Sequence, residues 1–174
     1  MIYLVRHGQT DWNLFKRCNG VTDTFLNKAG IEQAKAQAEN LKNVSFDACF
    51  CSPQTRARQF CEMIYKGSVV YDDRLAEINC GEFESMEETA DMMRAFWQAI
   101  QTGDKDTERM DLFIKRNCDL CEMITEKHKG ENVMIVTHAA NVQVIDYYFN
   151  GRPENYRFFG KMVVEKGEFI TYEN

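Results

Sequence analysis

The sequence predicts an α/β fold with a mostly parallel central sheet, on three observations. Short apolar runs at residues 2–5, 46–51, 69–71 and 132–137 have strand composition and strand length. Longer segments with helical periodicity and recognisable caps lie between most of them. No repeat, low-complexity stretch or linker interrupts the alternation, so the 174 residues read as a single domain, 1–174, long enough for a sizeable core. Strands alternating with helices pair in parallel, and in open sheets of that kind ligands gather at the carboxyl ends of the strands.

In chain order, the first strand ends abruptly in Arg6, His7 and Gly8, placing a cation and an imidazole at a ligand-binding edge. Residues 10–25 form a polar loop holding Asn13, Arg17, Asn19 and Asp23, and Asn27 caps a helix over 28–41. After the second strand, Ser52 is read as an N-cap and Pro53 as the first helical residue, which puts Arg56 in the first turn of the helix that also carries Arg58. There the free backbone N–H groups and the helix dipole add to its charge, making a second anion-friendly spot. Leu75, Ala76 and Glu77 follow the short third strand, with a glycine-containing loop through Gly81. Ser85 and Glu88 have capping-box spacing for a helix to about residue 100, and residues 102–106 make a polar break. A further helix runs to about residue 127. The strand at 132–137 delivers His138 at its carboxyl end, just before a helix over 141–149 that Gly151 stops. Residues 161–164 and 169–172 flank Lys166 and Gly167 as a closing hairpin.

Composition narrows the chemistry. Hydrophobic residues make up 44% and prolines number only two, so a disordered chain is excluded. A net charge of −6 disfavours nucleic acid or an anionic membrane as partner, so any anion site must be a local concentration of positive charge. The opening apolar run is too short for a signal peptide and no stretch is long enough to span a bilayer, which gives the expectation of a soluble, cytoplasmic protein. Seven cysteines cannot all pair and point to a reducing compartment. Cys118 and Cys121 share the apolar face of one helix with Met110, Phe113, Ile114 and Ile124, and Cys49 and Cys51 share one face of a strand. No second pair has zinc-ligand spacing, so these read as core thiols. His128, flanked by Lys127 and Lys129 at a helix end, reads as a surface residue.

His7 and His138 therefore occupy equivalent places at strand ends, with Arg6 and Arg56 beside them. These residues lie in blocks that resemble the histidine phosphatase superfamily, the phosphoglycerate-mutase-like proteins. The opening Leu4-Val5-Arg6-His7-Gly8-x-Thr10-x-Trp12-Asn13 is similar to that family's signature. It is followed in register by Asn19-Gly20-x-x-Asp23, by Leu26-x-x-x-Gly30-x-x-Gln33-Ala34 and by Ser52-Pro53-x-x-Arg56-Ala57. Leu75-x-Glu77 with Gly81-x-Phe83-Glu84, and Val136-Thr137-His138, complete the set. Each block is weak alone; together they are specific.

The resemblance implies a three-layer α/β/α phosphoglycerate-mutase-like fold in which residues 85–127 partly cover the active site. It implies that His7 is the nucleophile, that Arg6 and Arg56 clamp phosphate oxygens, that His138 donates a further hydrogen bond and that Glu77 is the proton donor. Asn13, Asn19 and Ala139 match positions lining the same pocket. The physical chemistry agrees: two guanidinium groups keep a neighbouring imidazole neutral and therefore nucleophilic, and they cover the oxygens on which transition-state charge gathers. Losing one such donor costs about 2.7–4 kcal/mol of barrier. No cofactor or metal is needed if arginines do this.

Some positions depart from the family pattern. Asn19 stands for a glutamine, Phe25 for a proline, Phe83 for a tryptophan, Ser85 for a glycine and Ala139 for the glycine that often follows the second histidine. Glu82 and Glu84 lie close enough in sequence to compete with Glu77 for the acid role. Met92, Met93, Phe96 and Trp97 either touch substrate or belong to the core. The expected activity is a metal-independent phosphatase of small phosphorylated metabolites. The alternatives are a phosphoglycerate-type mutase, a phosphohistidine-protein phosphatase and a non-catalytic phosphate-binding module. The sequence leaves substrate and oligomeric state open.

Overall fold

The computed structural model describes residues 1–151 and 164–174. Its five-stranded sheet comprises β1 (Ile2–Arg6), β2 (Ala48–Cys51), β3 (Val70–Tyr71), β4 (Val133–Thr137) and β5 (Phe169–Tyr172), in the order β3-β2-β4-β1-β5. All neighbours are parallel except β5, which runs antiparallel to β1 with Val5 opposite Phe169. The helices are α1 (Asp11–Leu14), α2 (Lys28–Leu41), α3 (Thr55–Ile64), α4 (Ala90–Thr102), α5 (Met110–Lys127) and α6 (Ala139–Asn150).

Alternation along the strands makes the three layers. In β4, Met134 and Val136 point to one face, where they pack with Ala34, Ala57 and Phe60 of α2 and α3. Val133 and Ile135 point to the other, against Leu120, Ile124, Val142 and Ile145 of α5 and α6. Enclosing a side chain such as Ile135 contributes about 1.5–3 kcal/mol. A third cluster joins α4 and α5 to the loops around Cys18, Ile78 and Cys80. The seven cysteines are free thiols, with Cys49 and Cys51 buried on one face of β2. Cys121 faces the sheet while Cys118 is half-buried against the third cluster. Among the described residues no helix is long and apolar enough to cross a membrane.

Helix starts are where the structure differs from the sequence reading. Asn27 does cap α2, accepting from the Gly30 N–H at 3.0 Å. The polar loop after β1 contains the short α1, closed by a reciprocal capping box between Thr10 and Asn13. Ser52 does not cap α3, which begins at Thr55; instead Asp23 reaches across and accepts from the Thr55 N–H at 2.7 Å. Ser85 and Glu88 do not form a capping box either, because Thr89 caps α4 and Ser85 sits at φ +67°. That left-handed conformation favours glycine. His128 ends α5 half-buried, with Nδ1 2.6 Å from Glu131 and its ring edge-on to Phe50. The first strand expected for the closing hairpin falls on residues 161–163, outside the described residues.

Candidate active site

The carboxyl ends of β1, β2 and β4 meet at one edge of the sheet, and a pocket of about 320 Å³ opens there. Arg6, His7, Arg56 and Glu77 form its floor together with Asn13, Asn19 and Ala139, so seven of the eight residues singled out from the sequence line one cavity. The eighth, His138, is completely buried behind His7, with ring centroids 5.0 Å apart in an edge-on arrangement.

Local geometry explains how these groups come together. His7 leaves β1 at the point where its N–H still pairs with the Thr137 carbonyl. The chain then turns past α2 through a glycine-to-glycine contact, where a Cβ on Gly8 would stand 2.7 Å from the Gly30 carbonyl oxygen. Arg56 lies in the first turn of α3, and Ala139 is the first residue of α6, so two helix N-termini add their dipoles to this edge. Arg56 is held by the loop carbonyls of Gly20 and Thr22, at 2.8 and 3.1 Å.

His7 Nδ1 lies 2.7 Å from the Gly8 carbonyl oxygen. A carbonyl can only accept, so the ring proton sits on Nδ1 and Nε2 carries the lone pair. Burial, then Arg56 and Arg6, push the imidazole well below its ordinary pKa of 6.5, which keeps it neutral. His138 is pushed down chiefly by burial. Its Nε2 is 2.7 Å from Ser52 Oγ, and its Nδ1 has no partner among the described residues. Ser52 Oγ also accepts from the Gln54 N–H at 3.3 Å. The serine oxygen thereby joins the end of β4 to the loop that leads into α3.

Glu77 is immobilised from several directions. Its N–H donates to Gln54 Oε1 at 2.7 Å, and its carbonyl accepts from Arg116 at 3.2 Å. Its neighbours are tied by Thr137 to the Leu75 carbonyl and by Asn141 to the Ala76 carbonyl. Burial raises the Glu77 pKa, against the lowering effects of N–H bonds from Ile78 and Ala140 and the charges of Arg56 and Arg6. A bound phosphate dianion offsets those two charges and so drives the carboxyl further toward its protonated form. The competing carboxylates lie elsewhere: Glu84 is spent on the N–H groups of Gly20 and Val21, and Glu82 is exposed.

Four pocket-associated residues carry no signal that sequence reasoning used for the site. Gln54 bridges Glu77 to the Gly20 carbonyl. Arg17, Glu88 and Lys166 line the outer wall, brought there by loops distant from one another in sequence. Met93 and Phe96 also reach the pocket, whereas Trp97 is exposed.

Comparison with known proteins gives the family and the fold. Residues 2–161 match the family model described as histidine phosphatase superfamily (branch 1). The metal-independent phosphoserine phosphatase of Arabidopsis thaliana is 33% identical over 157 residues, a match spanning 83% of this chain and 66% of that protein. Among solved structures, Bacillus stearothermophilus YhfR superposes with a TM-score of 0.78 at 28% identity, over 97% of this chain and 93% of that one. The phosphoglycerate mutase from Bacillus anthracis str. Sterne shares the fold, with a TM-score of 0.77 at 21% identity over 99% and 91% of the two chains.

Proposed function

The chain belongs to the histidine phosphatase superfamily (branch 1), and from that premise we propose that it is a metal-independent phosphatase of small phosphate monoesters acting through a phosphohistidine on His7. The observation that carries this reading is the His7 imidazole itself: neutral, with its proton committed to the Gly8 carbonyl and its Nε2 lone pair in a pocket flanked by Arg6 and Arg56.

In the first step Nε2 forms a bond to phosphorus while the bond from phosphorus to the ester oxygen breaks, and Glu77 gives its proton to that departing oxygen. Arg6 and Arg56 hold the equatorial oxygens throughout. In the second step Glu77, now a carboxylate, takes a proton from water as the water oxygen bonds to phosphorus and the nitrogen–phosphorus bond breaks. Inorganic phosphate leaves and His7 returns to its neutral form. The A. thaliana phosphoserine phosphatase supports hydrolysis as the reaction type.

The test is to supply an aryl phosphate in excess chelator. Steady hydrolysis is expected, with an acid-labile, base-stable phosphoenzyme that His7→Ala abolishes. Chelator-sensitive turnover restored by magnesium or zinc would overturn the mechanism. With 3-phosphoglycerate and a trace of 2,3-bisphosphoglycerate, rapid formation of 2-phosphoglycerate with little free phosphate would overturn hydrolysis in favour of the mutase.

A further inference from the structure

Gln54 stands between the acid and the phosphate clamp. It is the N-cap residue of α3, yet its side chain makes no capping bond, and Asp23 accepts from the Thr55 N–H instead. The buried amide turns inward: Oε1 accepts from the Glu77 N–H at 2.7 Å, and Nε2 donates to the Gly20 carbonyl at 2.8 Å. One partner can only donate and the other can only accept. The position therefore calls for a donor and an acceptor at that reach, which a primary amide supplies and a carboxylate, an ammonium or a thioether does not.

The two partners depend on Gln54 unequally. The Gly20 carbonyl also accepts from Arg56 Nη2 at 2.8 Å, and Arg56 Nη1 has a second anchor in the Thr22 carbonyl at 3.1 Å. The clamp thus keeps both of its bonds without Gln54. The Glu77 N–H has no other acceptor among the described residues. The remaining side-chain ties on residues 75–77 come from Thr137 in β4, Asn141 in α6 and Arg116 in α5, so Gln54 is the tie that leads toward Arg56. The Glu77 carboxyl follows its backbone closely, since Oε1 accepts from the adjoining Ile78 N–H at 2.9 Å. Wherever that peptide is held, the acid is held too.

We propose that Gln54 is a positioning residue for proton transfer, its amide setting where the Glu77 carboxyl stands relative to the phosphate that Arg56 holds. This rests on the phosphatase reading above, with Glu77 as the acid. A general acid works only within hydrogen-bond reach of the oxygen it protonates, and a misplacement of about 1 Å costs on the order of 100-fold. Gln54 lies behind Glu77 and Arg56, which line the cavity. It acts through Glu77, so its loss shows only where the proton matters.

The test compares kcat/KM for ethyl phosphate, whose leaving group needs the proton, with that for p-nitrophenyl phosphate, whose leaving group does not. Gln54→Met keeps the length and removes both bonds. It should slow ethyl phosphate by about 30-fold or more and p-nitrophenyl phosphate by about fivefold or less. Inhibition by inorganic phosphate should change by about twofold or less, because the clamp keeps its anchors. In a Glu77→Gln background, adding Gln54→Met should slow ethyl phosphate by about a further threefold at most, since the acid it positions is gone. A partly folded preparation would lower both esters alike. Gln54→Asn, the same amide too short to span both partners, repeats the comparison if the methionine variant does not fold. Equal losses on the two esters, no loss on either, phosphate inhibition weakened by about tenfold, or a full further loss in the Glu77→Gln background each overturn the inference and leave the phosphatase reading intact. If the unaltered chain hydrolyses neither ester, or Glu77→Gln slows both alike, that reading itself fails and the inference falls with it.

Discussion

Ser52 Oγ and His138 Nε2 lie 2.7 Å apart, joining the end of β2 to the end of β4 directly behind the His7 ring. The bond holds the orientation of a completely enclosed imidazole. Ser52→Ala removes it and leaves a buried ring nitrogen unsatisfied, at a cost of about 1–3 kcal/mol of stability. Turnover should fall about tenfold, since a disoriented His138 loses roughly one hydrogen bond to the transition state. Urea titration and steady-state rates check both effects; unchanged values for both would show that the contact does nothing.

The two buried histidines also set a pH dependence. Both are held well below 6.5 in the folded chain, while in the unfolded chain they titrate at their ordinary value. Below about pH 6.5 the unfolded state therefore binds more protons, so stability is lost as pH falls and this contribution is flat above that pH. The urea midpoint should drop between about pH 7 and pH 5.5, and drop less in His7→Asn. Equal drops in the two proteins would remove His7 from the explanation.

Glu77 and Arg56 should fail in different ways. If Glu77 protonates the leaving oxygen, Glu77→Gln harms alkyl phosphates severely and aryl phosphates with good leaving groups far less, because only the former need the proton. Arg56→Ala should slow both by about 100-fold or more, as for loss of a preorganised donor. Parallel losses on the two substrate types in Glu77→Gln would move the acid role to another group.

Ser85 is strained without being catalytic. Its φ of +67° is fixed by its N–H bond to the Cys18 carbonyl, while its own carbonyl receives Arg17. Ser85→Gly should raise stability by about 0.5–1 kcal/mol, the relief of a left-handed residue less the extra freedom gained by the unfolded chain. Thermal unfolding decides it, and a destabilised Ser85→Gly would mean the hydroxyl contributes more than the backbone loses.

Much of the site was legible because its residues are announced locally. A strand composition ending in Arg6-His7, and another ending in His138, place two histidines at one sheet edge with no knowledge of contacts. The same holds for α2, whose start Asn27 marks by capping. Ser52 misled because a serine before a proline usually caps a helix, whereas here the hydroxyl is committed to His138 and Asp23 supplies the cap from 32 residues upstream. Glu88 misled in a similar way: its spacing from Ser85 mimics a capping box, but the left-handed turn at Ser85 sends it to the pocket rim and Thr89 takes the cap. Gln54 was illegible because its importance comes wholly from what folds against it.

The pairing of β1 has a consequence for how the protein comes into being. Ile2 pairs with Val133 on one side and with Tyr172 on the other. On the ribosome, the strand bearing His7 is made well before either partner and must wait, apolar and unpaired, until Val133 and then Tyr172 have been synthesised. The phosphate site thus cannot assemble early on a partial chain. Closing such long loops makes folding slow, and the interval exposes a sticky strand that a chaperone would need to shield.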